Sequence, residues 1–166
     1  SNNFQTLMEN IISNDLIDSI KAFPIAIGDK SDFTSLFLSD FRIGTSHHMI
    51  DQKLDHNLNS LDYKINQGVF KTSLDKIVTE WKLPIPQYLK IDVDGIENLI
   101  IKNAESLLKS KKLQSLLIEI NRKREEDLEI ISVLQKHGFK FNKKQVDEAT
   151  RKSGKHEGYA EYLFTK

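Results

Sequence analysis

The alternation of strand and helix patterns between residues 87 and 142 limits the fold of this chain most strongly. In chain order the patterns are strand, helix, strand, helix and strand, at 88–93, 96–108, 113–120, 124–137 and 139–141. Strands separated by helices pair in parallel through right-handed crossovers, with helices on both faces of the sheet. A closing strand pattern at 159–164 predicts an antiparallel hairpin at one edge. The sequence therefore predicts an α/β fold built on a mostly parallel sheet.

The helix and strand patterns in the amino-terminal part of the sequence are shorter. Apolar side chains recur at three- and four-residue spacing over 3–14, which predicts an amphipathic helix. The apolar run 20–27 and the β-rich run 33–38 predict two strands that pair as a hairpin. Residues 39–68 are polar and show no periodicity, so we interpret them as an insertion that is either a functional loop or a poorly ordered excursion.

Composition limits the class of protein. A length of 166 residues fits a single domain over 1–166. The absence of cysteine excludes a disulfide framework, thiolate catalysis and thiolate-bound metals. With 24 Lys and Arg against 24 Asp and Glu, the balance argues against a nucleic-acid or membrane partner. No apolar run reaches the ~18 residues of a membrane span, and the first residues show no secretory signal, so we expect a cytoplasmic protein.

The sharpest candidate site is the segment 90–97, of sequence Lys-Ile-Asp-Val-Asp-Gly-Ile-Glu. Asp92, Asp94 and Glu97 fall at the carboxyl end of a predicted central strand, where open α/β sheets bind ligands. These carboxylates could hold a divalent metal, accept hydroxyl protons or bind a cationic cofactor. Alternatively, Asp94 caps the following helix and Glu97 complements its dipole. Asp92 ends an apolar strand and needs a partner, which makes it the first functional candidate.

Three further candidate residues lie elsewhere in the chain. His47 and His48 follow Gly44-Thr45-Ser46 in the polar insertion, and one of them could be a general base near neutral pH unless both are simply solvated. Glu119 ends the next predicted strand and faces the same cleft edge as Asp92, either as a site residue or in a structural salt bridge. No phosphate-binding glycine loop, nucleophile elbow or zinc-binding helix motif occurs in the sequence.

A series of motifs in a fixed order resembles the FkbM family of methyltransferases. The most specific is Leu-Lys-Ile-Asp-Val-Asp-Gly-Ile-Glu at 89–97, preceded by Ser-Leu-Asp at 73–75. The others are the segment from Asn3 to Asn14, Ala-Ile-Gly-Asp at 26–29 and Leu-Ile-Glu-Ile at 117–120. Asp94 stands where the family more often has glutamate, which is a mild departure.

The resemblance implies a Rossmann-like class I methyltransferase sheet, mostly parallel with an antiparallel carboxyl-terminal hairpin. It also implies S-adenosyl-L-methionine as cofactor and a hydroxyl of a small-molecule or glycan acceptor as substrate. By matching position, the resemblance implies that Asp92 and Lys90 flank the cleft beside the transferred methyl. It implies that the cofactor contacts Ala26, Ile27, Asp29 and Asp92. His47 and His48 would lie on the acceptor side. Asp92 is the first choice for the base that removes the hydroxyl proton, and the histidines come next.

Two other classes of function stay open on the sequence. Asp92-Val93-Asp94 also matches the D-x-D pattern with which glycosyltransferases bind manganese and a nucleotide sugar, and Glu97 could add a third metal ligand. The chain could instead be a non-catalytic binding domain. Stabilisation by manganese with a nucleotide sugar would favour the glycosyltransferase, and stabilisation by S-adenosylhomocysteine would favour a methyltransferase. An Asp92→Asn variant with undiminished biological activity would favour the non-catalytic binding domain.

The resemblance also yields a prediction about cofactor binding. Family members begin with a strand and a glycine-rich loop, followed by a second strand that ends in a ribose-binding acid, and this sequence opens at the helix after these first strands. We expect the 166 residues alone to bind S-adenosylmethionine weakly or not at all, because the backbone amides that face the methionine carboxylate are missing. Calorimetric titration that detects micromolar binding to these residues would contradict this expectation.

Overall fold

The computed structural model describes residues 2–38, 40, 42–44, 48–51, 63, 65–93, 95–154 and 156–166. The chain divides into two compact units. The amino-terminal unit comprises Ser1–Ala26 and Ser31–Thr72, and the carboxyl-terminal unit comprises Ile27–Lys30 and Ser73–Lys166. A single domain over 1–166 therefore stays a prediction, and each unit is described by itself.

The amino-terminal unit consists of one helix and a small sheet. Its elements are α1 (Asn2–Ser13), β1 (Ala26–Ile27), β2 (Asp32–Leu38), β3 (Met49–Ile50) and β4 (Ile65–Thr72), although Ile27 of β1 is counted in the carboxyl-terminal unit. The predicted amphipathic helix is confirmed. The predicted hairpin of the first two strands is wrong, because the strand order is β1-β4-β2-β3 and β4 lies between β1 and β2. β4 also begins inside the predicted polar insertion, since its antiparallel pairing with β2 extends back to Leu38 opposite Ile65.

The carboxyl-terminal unit contains a second sheet with helices. Its elements are α2 (Leu74–Thr79), β5 (Tyr88–Ile91), α3 (Glu97–Lys102), α4 (Glu105–Lys109), β6 (Ser115–Asn121), α5 (Glu125–Lys136), β7 (Lys140–Phe141), α6 (Lys143–Ala149) and β8 (Tyr159–Thr165). The strand order is β5-β6-β8-β7. β5 and β6 pair in parallel, as predicted, and β7 and β8 form the predicted antiparallel edge. Because β8 inserts antiparallel beside β6, the sheet is mixed rather than mostly parallel.

Two helical segments differ from the prediction, each for a local reason. The single helix predicted after Gly95 is broken into α3 and α4. The carboxylate of Asp75 accepts the backbone N–H groups of Ser106 and Leu107, at 2.9 Å each, and so caps a new helix start. The segment before β8 is rich in Lys, Gly and Glu, which predicts a surface turn, but it contains α6. Val146 is its one buried residue, so the helix shows no apolar periodicity.

The core of the carboxyl-terminal unit lies on one face of its sheet. Leu116, Ile118 and Ile120 of β6 are buried with apolar side chains of α3, α4, α5 and α6. The continuous apolar run from Leu116 to Ile118 predicts a strand buried on both faces, and this prediction is wrong because the intervening Leu117 and Glu119 are half-buried. Tyr88 and Leu163 are exposed on β5 and β8. The open face of the sheet therefore presents polar and apolar side chains to solvent, among the residues that the structure describes.

A buried lysine is neutralised within the amino-terminal unit. Lys71 of β4 has a side chain only 4% exposed, and its Nζ donates a hydrogen bond to the carboxylate of Asp51. Asp51 also accepts a hydrogen bond from Thr34 of β2. Because a buried ammonium is costly without a nearby counter-charge, Asp51 links the two strands by satisfying this lysine.

This arrangement predicts an effect on stability. Asp51→Asn keeps a residue that tolerates the left-handed backbone found there (φ 67°) but removes a counter-charge of Lys71. We expect the free energy of unfolding to fall by about 2 kcal/mol in a urea titration. Asp40→Asn is the matched control, because Asp40 pairs with the largely exposed Arg42, and we expect a change below about 0.5 kcal/mol. Equal effects of the two variants would contradict the assignment.

Candidate functional site

A cavity opens at the carboxyl end of β5, within the carboxyl-terminal unit. Its volume is about 420 Å³, and it is lined by Ile27, Leu74, Leu89, Lys90, Ile91, Asp92, Val93 and Ile100. Asp92 directly follows β5, which pairs with β6 on one side and lies at the edge of the described sheet. The prediction that Asp92 ends a central strand is therefore wrong for the described strands. The structure places a cavity beside this carboxylate, and the functional role of Asp92 stays a prediction.

Asp92 and Lys90 form an ion pair at the mouth of this cavity. Lys90 Nζ lies 3.0 Å from Asp92 Oδ2 and 3.9 Å from Glu161 Oε1. The hydrogen bond to Asp92 raises the pKa of Lys90 above its ordinary value. The side chains of Lys90 and Asp92 are 56% and 57% exposed, so the pair adds little to stability. Both groups are therefore accessible to a ligand that enters the cavity.

Further carboxylates share the face of the sheet on which Lys90 lies. Glu119 of β6 is directly opposite Glu161 of β8 in the antiparallel register. Like charges in this position destabilise a sheet, and here Arg151 offsets them by placing Nη2 3.0 Å from Glu119 Oε1. Burial raises the pKa of Glu119, and Asp92 contributes in the same direction. The structure therefore shows the salt-bridge alternative for Glu119, and the charge of Asp92 is near enough to affect this carboxyl group.

Glu97 closes the turn that follows Asp92. Its carboxylate accepts the backbone N–H groups of Val93 at 3.3 Å and Gly95 at 3.1 Å. Gly95 has a φ of 106°, which favours glycine at this bend. Glu97 is only 7% exposed, and burial raises its pKa to about 7. Glu97 therefore does more than complement the helix dipole, and its carboxylate is engaged with the backbone.

Arg124, which lies between β6 and α5, makes a second contact with the same turn. Arg124 Nη2 donates to the carbonyl oxygen of Gly95 at 3.4 Å, and its Nε lies 3.7 Å from Asp127 Oδ1. Asp127 in turn accepts the backbone N–H of Asn121 at 2.9 Å. Burial raises the pKa of Asp127. These contacts therefore connect the turn after β5 to the carboxyl end of β6.

The structure brings part of the predicted site together. Ile27, Lys90 and Asp92 line one cavity. Asp29 lies half-buried in the same unit, in the bend after β1, outside that lining. Ala26 and the half-buried His48 belong to the amino-terminal unit. His47 and Asp94 lie outside the described residues, and within the described ones no three His, Asp or Glu side chains group as metal ligands.

Sequence reasoning missed Glu161 and Arg151. The alternation of β8 places Glu161 on the exposed face, but its position opposite Glu119 depends on the strand register. Arg151 stands in the segment between α6 and β8, far from Glu119 in sequence. No local pattern could have assigned either residue to the surroundings of Asp92.

Comparison with known protein families identifies the family. The Methyltransferase FkbM domain model matches residues 1–141, which include segments of both units. The chain belongs to the FkbM methyltransferase family. This confirms the resemblance drawn from the motifs and supports methyl transfer as the general activity. Searches of curated proteins and of solved structures returned no match at the required significance. No helix in the described part of this FkbM chain is long and apolar enough to cross a membrane.

The burial of Glu97 predicts a pH dependence of stability. The pKa of Glu97 is about 7 in the folded state and 4.5 in the unfolded state. Between these two pH values the folded state binds more protons than the unfolded state does, so the free energy of unfolding falls as the pH rises. We expect this contribution to reach roughly 3 kcal/mol between pH 4.5 and 7. In Glu97→Gln the slope of unfolding free energy against pH should become correspondingly flatter in chemical denaturation.

The matched control is Glu80→Gln, since Glu80 is an exposed carboxylate at the end of α2. This control should keep the wild-type slope. If Glu97→Gln also keeps the wild-type slope, the assignment of the buried carboxyl is wrong.

Proposed function

We propose that this member of the FkbM family transfers a methyl group from S-adenosyl-L-methionine to a hydroxyl oxygen of a small molecule or glycan. The observation that supports the proposal is the accessible carboxylate of Asp92 at the mouth of the 420 Å³ cavity. A cavity of this size is within the usual range for small-molecule sites. The family match supports methyl transfer in general, and the roles below belong to the proposal.

The residues that line the cavity fit this cofactor. Ile27, Leu74, Leu89 and Ile100 provide apolar walls that suit the flat face of an adenine ring. Asp92 provides a negative group that suits a sulfonium or ammonium centre. Ala26 and Asp29 stay proposed cofactor contacts on the strength of their positions in the family motif.

Asp92 accepts the proton of the acceptor hydroxyl in the proposed mechanism. The cofactor supplies a methyl group bonded to a positively charged sulfur. The chain would hold the acceptor hydroxyl beside that methyl, which would lower the entropic part of the barrier. Lys90, 3.0 Å from Asp92, orients the carboxylate by its hydrogen bond. His47 and His48 are the next candidates for the base, as acceptor-side residues of the family pattern.

The surroundings of Asp92 favour an acceptor with several hydroxyl groups. Glu119 and Glu161 lie on the same open sheet face, with Lys90 and Arg151 between and beside them. Carboxylates accept hydrogen bonds from sugar hydroxyls, and the two cations donate to hydroxyl oxygens. A hydroxylated small molecule or a glycan therefore fits this surface better than an apolar acceptor does.

Asp92→Asn tests the proposed base. In the intact gene product, supplied with S-adenosylmethionine and a panel of sugars and hydroxylated small molecules, we expect kcat to fall about 100-fold or more, because the amide cannot accept the proton. S-adenosylhomocysteine should still raise the melting temperature of the variant, since the apolar walls are unchanged. Formation of S-adenosylhomocysteine provides the assay.

Asp147→Asn is the matched control, because Asp147 is similarly exposed and is also paired with a cation, Arg122. This variant should keep the wild-type kcat. An Asp92→Asn enzyme with undiminished kcat would overturn the role given to Asp92.

A further inference from the structure

Lys90 lies between two carboxylates that come from different parts of the sheet. Its Nζ is 3.0 Å from Asp92 Oδ2, just after its own strand, and 3.9 Å from Glu161 Oε1 of β8. Since β6 lies between β5 and β8, the side chain of Lys90 reaches across a whole strand to approach Glu161. Asp92 raises the pKa of Lys90 through a hydrogen bond and its charge, and Glu161 does so through its charge. Lys90 therefore has a primary counter-charge and a second one within reach.

The other charged groups around Lys90 do not offer the same exchange. Glu119 of β6 also raises the pKa of Lys90, but it contributes less than Glu161 does. Arg151 already binds Glu119, with Nη2 3.0 Å from Oε1, and the charge of His156 acts on the same carboxyl group. Glu161 is therefore better placed than Glu119 to take up the lysine.

The backbone fixes the position of Glu161 and leaves its carboxylate free to move. The residue lies within the antiparallel pairing of β8 with β6, and its carbonyl oxygen accepts a hydrogen bond from Gln145 Nε2 at 3.1 Å. The side chains of Lys90 and Glu161 are 56% and 52% exposed. A movement of about 1 Å brings the two groups from 3.9 Å into hydrogen-bond distance. Such a movement disturbs no packing of the core.

The proposed reaction changes the charge of Asp92. The bond between the acceptor oxygen and the methyl group forms, the bond between the methyl group and sulfur breaks, and the sulfur keeps the electron pair. The hydroxyl proton passes to Asp92, which becomes a neutral acid, and Lys90 loses its primary counter-charge. A neighbouring cation stabilises the charged form of a carboxylate and so resists this change. A second counter-charge for the lysine reduces that resistance.

We propose that Glu161 is a positioning residue that takes over Lys90 when Asp92 accepts the proton. The ammonium group moves from Asp92 toward Glu161, so the lysine keeps a charged partner throughout the reaction. Glu161 acts through Lys90 and not on the reacting atoms. Its role in catalysis rests on the proposed function, in which Asp92 is the base.

The exchange can be measured without cofactor or acceptor, because Asp92→Asn imitates the neutral acid. NMR titration of the Lys90 ammonium group gives its proton affinity. In the Asp92→Asn background, where Glu161 is the partner that remains, Glu161→Gln should lower this affinity about threefold. In the wild-type background the same substitution should lower it by less than about 1.5-fold. An effect in the Asp92→Asn background no larger than that in wild type would overturn the proposal, since Lys90 would not change partner.

Glu129→Gln is the matched control. Glu129 is 57% exposed and also pairs with a lysine, Lys102, but it lies on α5 and outside the candidate site. The substitution should leave the proton affinity of Lys90 unchanged in both backgrounds. An effect equal to that of Glu161→Gln would show that net charge alone governs the titration and would overturn the proposal.

Kinetics test whether the exchange serves the reaction. The intact gene product is assayed by formation of S-adenosylhomocysteine, with the sugar of the panel that is methylated fastest. Glu161→Gln should lower kcat about threefold. In a Lys90→Met background the same substitution should change kcat no further, because Glu161 acts through the lysine. A raised acceptor KM with an unchanged kcat would leave Glu161 a binding role only and would overturn the proposal.

The roles of Asp92 and Glu161 can fail separately. If Asp92→Asn keeps the wild-type kcat, the base is assigned wrongly and the proposed function fails at that residue. If Asp92→Asn loses activity while Glu161→Gln keeps the wild-type kcat, only the role of Glu161 is wrong.

Discussion

The buried carboxylate of Glu97 is the interaction on which the candidate site depends. Burying such a group is unfavourable unless hydrogen-bond donors satisfy it, and here the N–H groups of Val93 and Gly95 do so. These bonds fix the bend between β5 and α3, with Gly95 supplying the positive φ that the bend requires. The same carboxylate thus connects the segment after β5 to the first residue of α3.

Arg124 extends this constraint to the neighbouring strand. Its guanidinium contacts the carbonyl of Gly95 and the carboxylate of Asp127, which holds the N–H of Asn121. The ends of two parallel strands are therefore connected by buried, charge-assisted contacts. Such contacts favour a single arrangement of the turn, because any other arrangement leaves a buried charge without its partner. A preorganised turn is what a site that positions a carboxylate requires.

The charged side chains of the carboxyl-terminal unit are unevenly distributed, although the total charge of the chain is neutral. Carboxylates meet on the open face near the end of β5, where Asp92, Glu119 and Glu161 lie with Lys90 and Arg151. Lysines lie on the helices, where Lys102 pairs with Glu129 and Lys109 pairs with Glu105. Composition alone, with 24 charges of each sign, cannot reveal this division.

Periodicity and local motifs were sufficient for much of the fold. The amphipathic α1, the parallel pair β5–β6 and the antiparallel edge of β7 and β8 follow from patterns within short segments. The break between α3 and α4 does not, because the capping carboxylate of Asp75 comes from a residue 31 positions before Ser106. The helix α6 buries a single side chain, so it has no apolar stripe to detect. The position of β4 between β1 and β2 is likewise a long-range pairing.

The sequence by itself determined the family and the first functional candidate. The segment from Leu89 to Glu97 contains the strand, the turn and the start of the helix within nine residues, so local chemistry is enough to recognise it. Only the tertiary structure decided that Glu97 faces the backbone and that Ile27 shares a cavity with Asp92. It also decided that Glu161 lies opposite Glu119. The physical reason is that strand register and helix packing join residues far apart in the chain, and no local pattern encodes those distances.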